Sequence, residues 1–284
     1  MSRSFEVFSS YAALMDGTQY AHLAAAFSSG RDALDSLGLS VTRLQISGLQ
    51  GADSAGNKTG DSLGSGDMAV ALAGATRLAS NLRLGLTAKA LQSEIAGYKS
   101  NMALAGDLGL TYTSSRFSKP LSVGMSVTNF GQGIKFRDQR DPLPTAINMG
   151  LSVPMGPATA VAEINRRVYE QRTEAGMGLE YGIGAVSLRA GYLARTDSGN
   201  LALKDQSGAR RVLGGLSGGV GIHMGAARLD YAFSQQAVEF GTTQRIALSL
   251  QWGGPSGHRA QRPDVNWKAN RDWSDSLIKS MGSY

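Results

Sequence analysis

The chain has no cysteine, which removes disulfides and thiolate metal sites from consideration. It also has no run of about 18 apolar residues, so a membrane-spanning helix is excluded. Proline is scarce, at 7 residues, and aromatics make up only 7% of the 284. The three histidines, His22, His223 and His258, lack metal-ligand spacing, and no phosphate-binding loop occurs. A net charge of +6 would suit nucleic acid. The basic residues are scattered, however, with no interleaved aromatic platform, so no nucleic-acid partner is expected. Glycine is abundant, at 37 residues, and leaves little room for helices of normal length.

What is present is alternation. From Asn101 to Thr113, Met102, Leu104, Leu108, Leu110 and Tyr112 fall on one face. Asn101, Ala103, Ala105, Asp107, Gly109, Thr111 and Thr113 fall on the other. Leu121, Val123, Met125 and Val127 repeat the pattern against Ser122, Gly124, Ser126 and Thr128. A side-chain period of two is that of a strand. Repeated in stretches of ten or so residues along a whole chain, it predicts an all-β fold, a transmembrane antiparallel up-and-down β-barrel. About fourteen strands are expected, near residues 4–14, 18–28, 36–46, 67–77, 81–91, 101–113, 120–129, 145–153, 158–165, 173–181, 185–194, 213–224, 226–234 and 242–252. The first and ninth have the weakest pattern.

The connections support the same fold. Arg77–Asn81, Ser115–Pro120, Pro154–Ala158, Gly182–Gly184 and the turn at Gly225 are short. They alternate with the longer Gln92–Asn101, Phe130–Pro144, Arg166–Arg172, Arg195–Val212 and Gln235–Gly241. Barrels of the bacterial outer membrane pair short periplasmic turns with long outer loops, and an even strand number places both chain ends in the periplasm. Ser47–Gly66 is the most polar segment and reads as a mobile surface loop.

Lys89, Asp107, Glu163, Glu180, Arg189, Arg228, Asp230 and Arg245 lie on the second face of their strands. Each Lys or Arg facing lipid at mid-depth would cost about 2–4 kcal/mol, so these residues are expected to face the lumen. Tyr20, Phe27, Tyr112, Tyr181, Tyr192, Tyr231, Phe233 and Trp252 are expected near strand ends or on the lipid face, as a thin aromatic girdle. Residues 1–252 form the barrel in this reading, and 253–284 a periplasmic linker and tail. Trp273, Leu277 and Met281 fall on one stripe of a short helix there.

No catalytic chemistry emerges. Gly215-Leu216-Ser217-Gly218-Gly219 matches the G-x-S-x-G pattern, but that motif needs a sharp strand–turn–helix, and Val220, Ile222 and Met224 continue a strand. No enzyme, cofactor or metal is expected.

Three segments carry a family likeness. Val127-Thr128-Asn129-Phe130-Gly131, Ile134-Lys135-Phe136 and Asp141-Pro142-Leu143-Pro144 form the first. Leu188-Arg189-Ala190-Gly191-Tyr192 with Thr196-Asp197-Ser198-Gly199 forms the second. Leu229-Asp230-Tyr231-Ala232-Phe233 with Gly241-Thr242-Thr243-Gln244-Arg245-Ile246 forms the third. In order and spacing they resemble PorV/PorQ-type outer-membrane proteins, relatives of the FadL-like fatty-acid transporters. The resemblance implies a fourteen-strand outer-membrane barrel that acts as an adaptor or shuttle in type IX-like protein secretion, with outer-membrane lipid, a translocon subunit and exported cargo as partners. Its outer loop would carry that contact through Phe130, Lys135, Phe136, Arg137, Asp138, Asp141, Pro142 and Pro144. The alternatives are FadL-like transport of hydrophobic small molecules and a structural porin-like barrel. The inward face reads as small, charged and polar, which favours the adaptor. The family's signal peptide and plug segment do not precede Met1, so the true start is expected upstream, or the chain is a fragment. Leu201–Val212 reads as an insertion.

Overall fold

The computed structural model describes residues 4–14, 17–29, 35–52, 57–114, 120–136, 139–196, 215–235 and 242–253. In chain order the strands are β1 (Ser4–Ala13), β2 (Thr18–Ser28), β3 (Ser36–Ala52), β4 (Lys58–Ala79), β5 (Leu82–Ile95), β6 (Tyr98–Lys99), β7 (Ala103–Ser114), β8 (Leu121–Gly131), β9 (Ile134–Phe136), β10 (Gln139–Asp141), β11 (Ala146–Met155), β12 (Ala158–Arg167), β13 (Arg172–Ile183), β14 (Val186–Thr196), β15 (Leu216–Met224), β16 (Ala227–Gln235) and β17 (Thr242–Gly253). All but β6, β9 and β10 belong to one closed antiparallel wall of 14 strands. Each wall strand bonds its neighbours in sequence, and β1 bonds β17 from Ser4 opposite Gly253 to Ala13 opposite Gln244. Closure pairs both edges of the sheet, as a β wall in lipid requires.

The two weakest patterns, residues 4–14 and 158–165, are both wall strands, because pairing on both sides outweighs a poor side-chain pattern. Connections 80–81, 156–157, 184–185 and 225–226 are two residues long and share one end of the barrel. Gly156, Gly184 and Gly225 have positive φ there, a conformation side chains resist. Segments 96–102, 132–145 and 168–171 leave the opposite end.

Ser47–Gly66 departs from expectation. Most of it is strand: β3 and β4 run on as a paired ribbon past Ile46 opposite Ser65. The register shifts after Ile46 and again after Gln50, so the ribbon is irregular. Strand pairing satisfies backbone groups without needing an apolar face, and a polar sequence can therefore extend a hairpin.

The faces separate as alternation requires. Leu23, Leu72, Leu104, Met149, Ile164 and Met177 lie on the outer face, each more than half exposed. A belt of that size has lipid as its only favourable surroundings. Phe27 lies opposite Phe5 across β1–β2, and Phe5 stacks on Trp252 across the closing seam, ring centroids 5.8 Å apart. Those three form an aromatic row at the tight-turn end.

Candidate functional site

The lumen is the concave surface of the molecule, and its two sides differ. On β13–β16 it is charged. Arg189 Nε donates to Glu180 Oε2 at 2.8 Å and Nη1 to Asp230 Oδ1 at 2.7 Å. Arg228 Nη2 donates to the same Asp230 oxygen at 2.8 Å. Arg189 stands on β14 and Asp230 on β16, so their contact must pass over β15. Gly221 on β15 makes that possible: a Cβ there would run into Asp230 Oδ1. The G-x-S-x-G segment opens the same strand. Ser217 sits within β15, and Gly218 lies against the Phe233 ring.

On β1–β5 and β7 the lumen carries two apolar clusters among buried polar residues such as Ser10, Thr42, Thr87 and Ser93. Ala12, Tyr20 and Leu44 pack with Phe8 and Leu14. Ala69, Leu91 and Ala105 pack with Leu143 and Ile134. A small pocket lined by Leu44, Ala69, Leu91 and Ile134 together with the polar Thr42, Asp67, Gln92 and Ser93 touches both clusters. The Ser93 hydroxyl donates to the Asp67 carboxylate beside it. Tyr20 is thus a lumenal residue and not part of the girdle. Leu23 and Phe27 face outward on β2, so residues of opposite parity, Tyr20 and His22, must face inward. Arg245 stands over the Tyr20 ring at 5.5 Å, and His22 Nδ1 is 2.8 Å from Thr42 Oγ1. The inward face is therefore not only small, charged and polar.

Leu143 and Ile134 come from the segment joining β8 to β11, which folds inward. The turn inward begins at a bulge. Gly106 opposes Phe130 but Leu108 opposes Val127, so Thr128 and Asn129 together face Asp107. Asn129 has φ of 56°, a left-handed conformation that asparagine tolerates better than most residues. Its N–H donates to Asp107 Oδ1 at 2.8 Å. Lys89 Nζ donates to that oxygen and to Asn129 Oδ1, both at 2.7 Å. Lys89 and Asp107 side chains are 0% and 1% exposed. Asn129 then holds the returning chain: its Nδ2 donates to the Pro144 carbonyl at 3.3 Å, and its carbonyl accepts from Thr145 Oγ1 at 3.0 Å. Leu143, 2% exposed, is left facing the lumen wall.

The residues expected to bind a partner are thereby dispersed. Phe130 ends β8, its side chain outward over Gly106. Lys135 and Phe136 on β9 and Pro144 are half-buried, whereas Asp141 and Pro142 are exposed. Arg137 and Asp138 lie outside the described residues, as do Leu201–Val212 and the tail beyond Gly253. Asn129 and Leu143 were absent from the expected set, although both lie within its motifs. The lumenal charges were foreseen: Lys89, Asp107, Arg189, Arg228, Asp230 and Arg245 all face inward.

No family model and no curated protein matches the chain, so the PorV/PorQ resemblance rests on its short motifs alone. Solved structures do match. The chain is similar to the deltaS2S3 mutant of the TodX monoaromatic hydrocarbon channel, with a TM-score of 0.54, 13% identity and 89% of each chain covered. It is similar to the Ralstonia pickettii toluene transporter TbuX at TM-score 0.53 and 14% identity, with 88% of each chain covered. The Pseudomonas putida toluene transporter TodX gives 0.52 and 14%, covering 89% of this chain and 88% of its own. At such identities the likeness is one of fold: these neighbours are channel and transporter barrels, not enzymes.

Proposed function

We propose that this barrel resides in a bacterial outer membrane and conducts small hydrophobic molecules, the FadL-like role. The two apolar clusters inside the lumen, Phe8 and Leu14 with Leu44 and Leu91 with Leu143, carry this reading. A water-filled porin gains nothing from lumenal leucines, whereas an apolar solute needs such a surface to leave water. The fold neighbours that handle toluene and other monoaromatics support the same solute class.

The test is a binding titration of the detergent-purified barrel with toluene, with the Leu91→Glu variant alongside. Saturable binding that the variant weakens at least about ten-fold is expected, as follows from placing a carboxylate in an apolar site. Absence of saturable binding overturns the reading.

A second reading is the secretion adaptor. In its favour is the exposed edge of the β9–β10 hairpin, where Arg140, Asp141 and Pro142 face away from the wall. Co-purification of a translocon subunit or exported cargo, lost on replacing Asp141 and Pro142, would establish it in place of the channel.

A further inference from the structure

The return arm 142–145 places a leucine where the proposed solute would sit, and this inference rests on that reading. Leu143 covers Ala69, Leu91 and Ala105, the wall side chains an apolar solute would use. The arm is not part of the wall. It is held to β8 by the two hydrogen bonds between Asn129 and the Pro144–Thr145 stretch. Asn129 is held in turn by Lys89 and Asp107. This cluster is incompletely satisfied: Asp107 Oδ2 is buried without a hydrogen bond. Water entering on release would solvate that oxygen and the Lys89 ammonium, offsetting part of what the released bonds contributed. Besides these bonds the arm accepts the Val168 N–H at the Thr145 carbonyl, 2.9 Å, so among the described residues lifting Leu143 breaks few hydrogen bonds.

We propose that Leu143 is a built-in stopper on the apolar cluster of Ala69, Leu91 and Ala105, latched by Asn129, which an incoming hydrophobic solute displaces.

The cysteine-free chain makes this measurable with one thiol. In the purified Leu143→Cys barrel, the rate of labelling by a water-soluble methanethiosulfonate reads how often the arm lifts. Two latch variants are added separately. Asn129→Gly keeps the left-handed backbone and removes the amide. Thr145→Val removes one hydroxyl and leaves the bulge untouched. Heat-modifiable gel mobility shows that each has folded.

Labelling is expected to accelerate about ten-fold or more in each, the scale of one lost buried hydrogen bond. Toluene should accelerate it in the otherwise unaltered barrel. Equal rates with and without the latch substitutions, in folded protein, overturn the latch. If toluene accelerates labelling while the latch variants do not, the channel reading stands and the latch falls. If the latch variants accelerate it and toluene does not, the latch stands and the hydrophobic-solute reading falls.

Discussion

At the residue scale, the most consequential side chains are the fully buried Lys89 and Asp107. Removing one partner leaves an uncompensated charge, and removing both leaves a cavity of similar shape. Lys89→Met is expected to destabilise the barrel by about 3–5 kcal/mol. Adding Asp107→Leu should restore part of that, the Asn129 N–H having lost its acceptor. Urea unfolding of the two variants in detergent, followed by the heat-modifiable band, measures the difference. Equal stability of the single and double variants would show that Asp107 is not left stranded. The sequence disclosed the facing of this pair, since parity alone puts both residues inward, but not their contact. Residues 89 and 107 meet only because β5 and β7 pair with Lys89 opposite Ala105. Tyr20 departs from its expected place for a different reason: its chemistry suits a membrane interface, but the parity of Leu23 and Phe27 on the same strand turns it inward.

At the scale of elements, β15 shows why glycine is so frequent here. Gly221 is a gap in one strand through which side chains of its two neighbours meet. Gly221→Val would put a branched side chain into Asp230 Oδ1 and separate it from Arg189. The expected cost is about 1–3 kcal/mol, the range for overpacking, and a thermal melt of heat-modifiability would register it. Gly182, whose Cβ would meet nothing closer than 3.7 Å, is the control and should tolerate alanine better. Wall strands were legible in the sequence because each presents the same period of two to the same pair of environments. The β9–β10 hairpin was not, because three-residue strands are too short to show a period. The polar ribbon of β3 and β4 escaped for the converse reason: its sequence has no apolar rhythm to read.

At the scale of the whole molecule, amphipathic strands and short turns specify the closed wall, and departures from that rule mark the interior. The charged groups and the apolar clusters of the lumen are both products of one alternating pattern. What distinguishes them is which inward positions received carboxylates and guanidinium groups and which received alanine and leucine. The bulge at Asn129 breaks the alternation locally and sends chain inward, so the least regular residues of the wall adjoin its most buried surface. The closing seam has a consequence of another kind. Since every wall strand bonds its sequence neighbours and the first bonds the last, the connectivity is a ring, and chain termini could be moved around it. A short linker from Gly253 to Ser4, with new termini opened between Gly184 and Ala185, would preserve every strand pair. Such a circular permutant is expected to refold in detergent with the same heat-modifiable shift as the natural order. Aggregation instead would mean that the order in which strands emerge, and not their pairing alone, specifies this barrel.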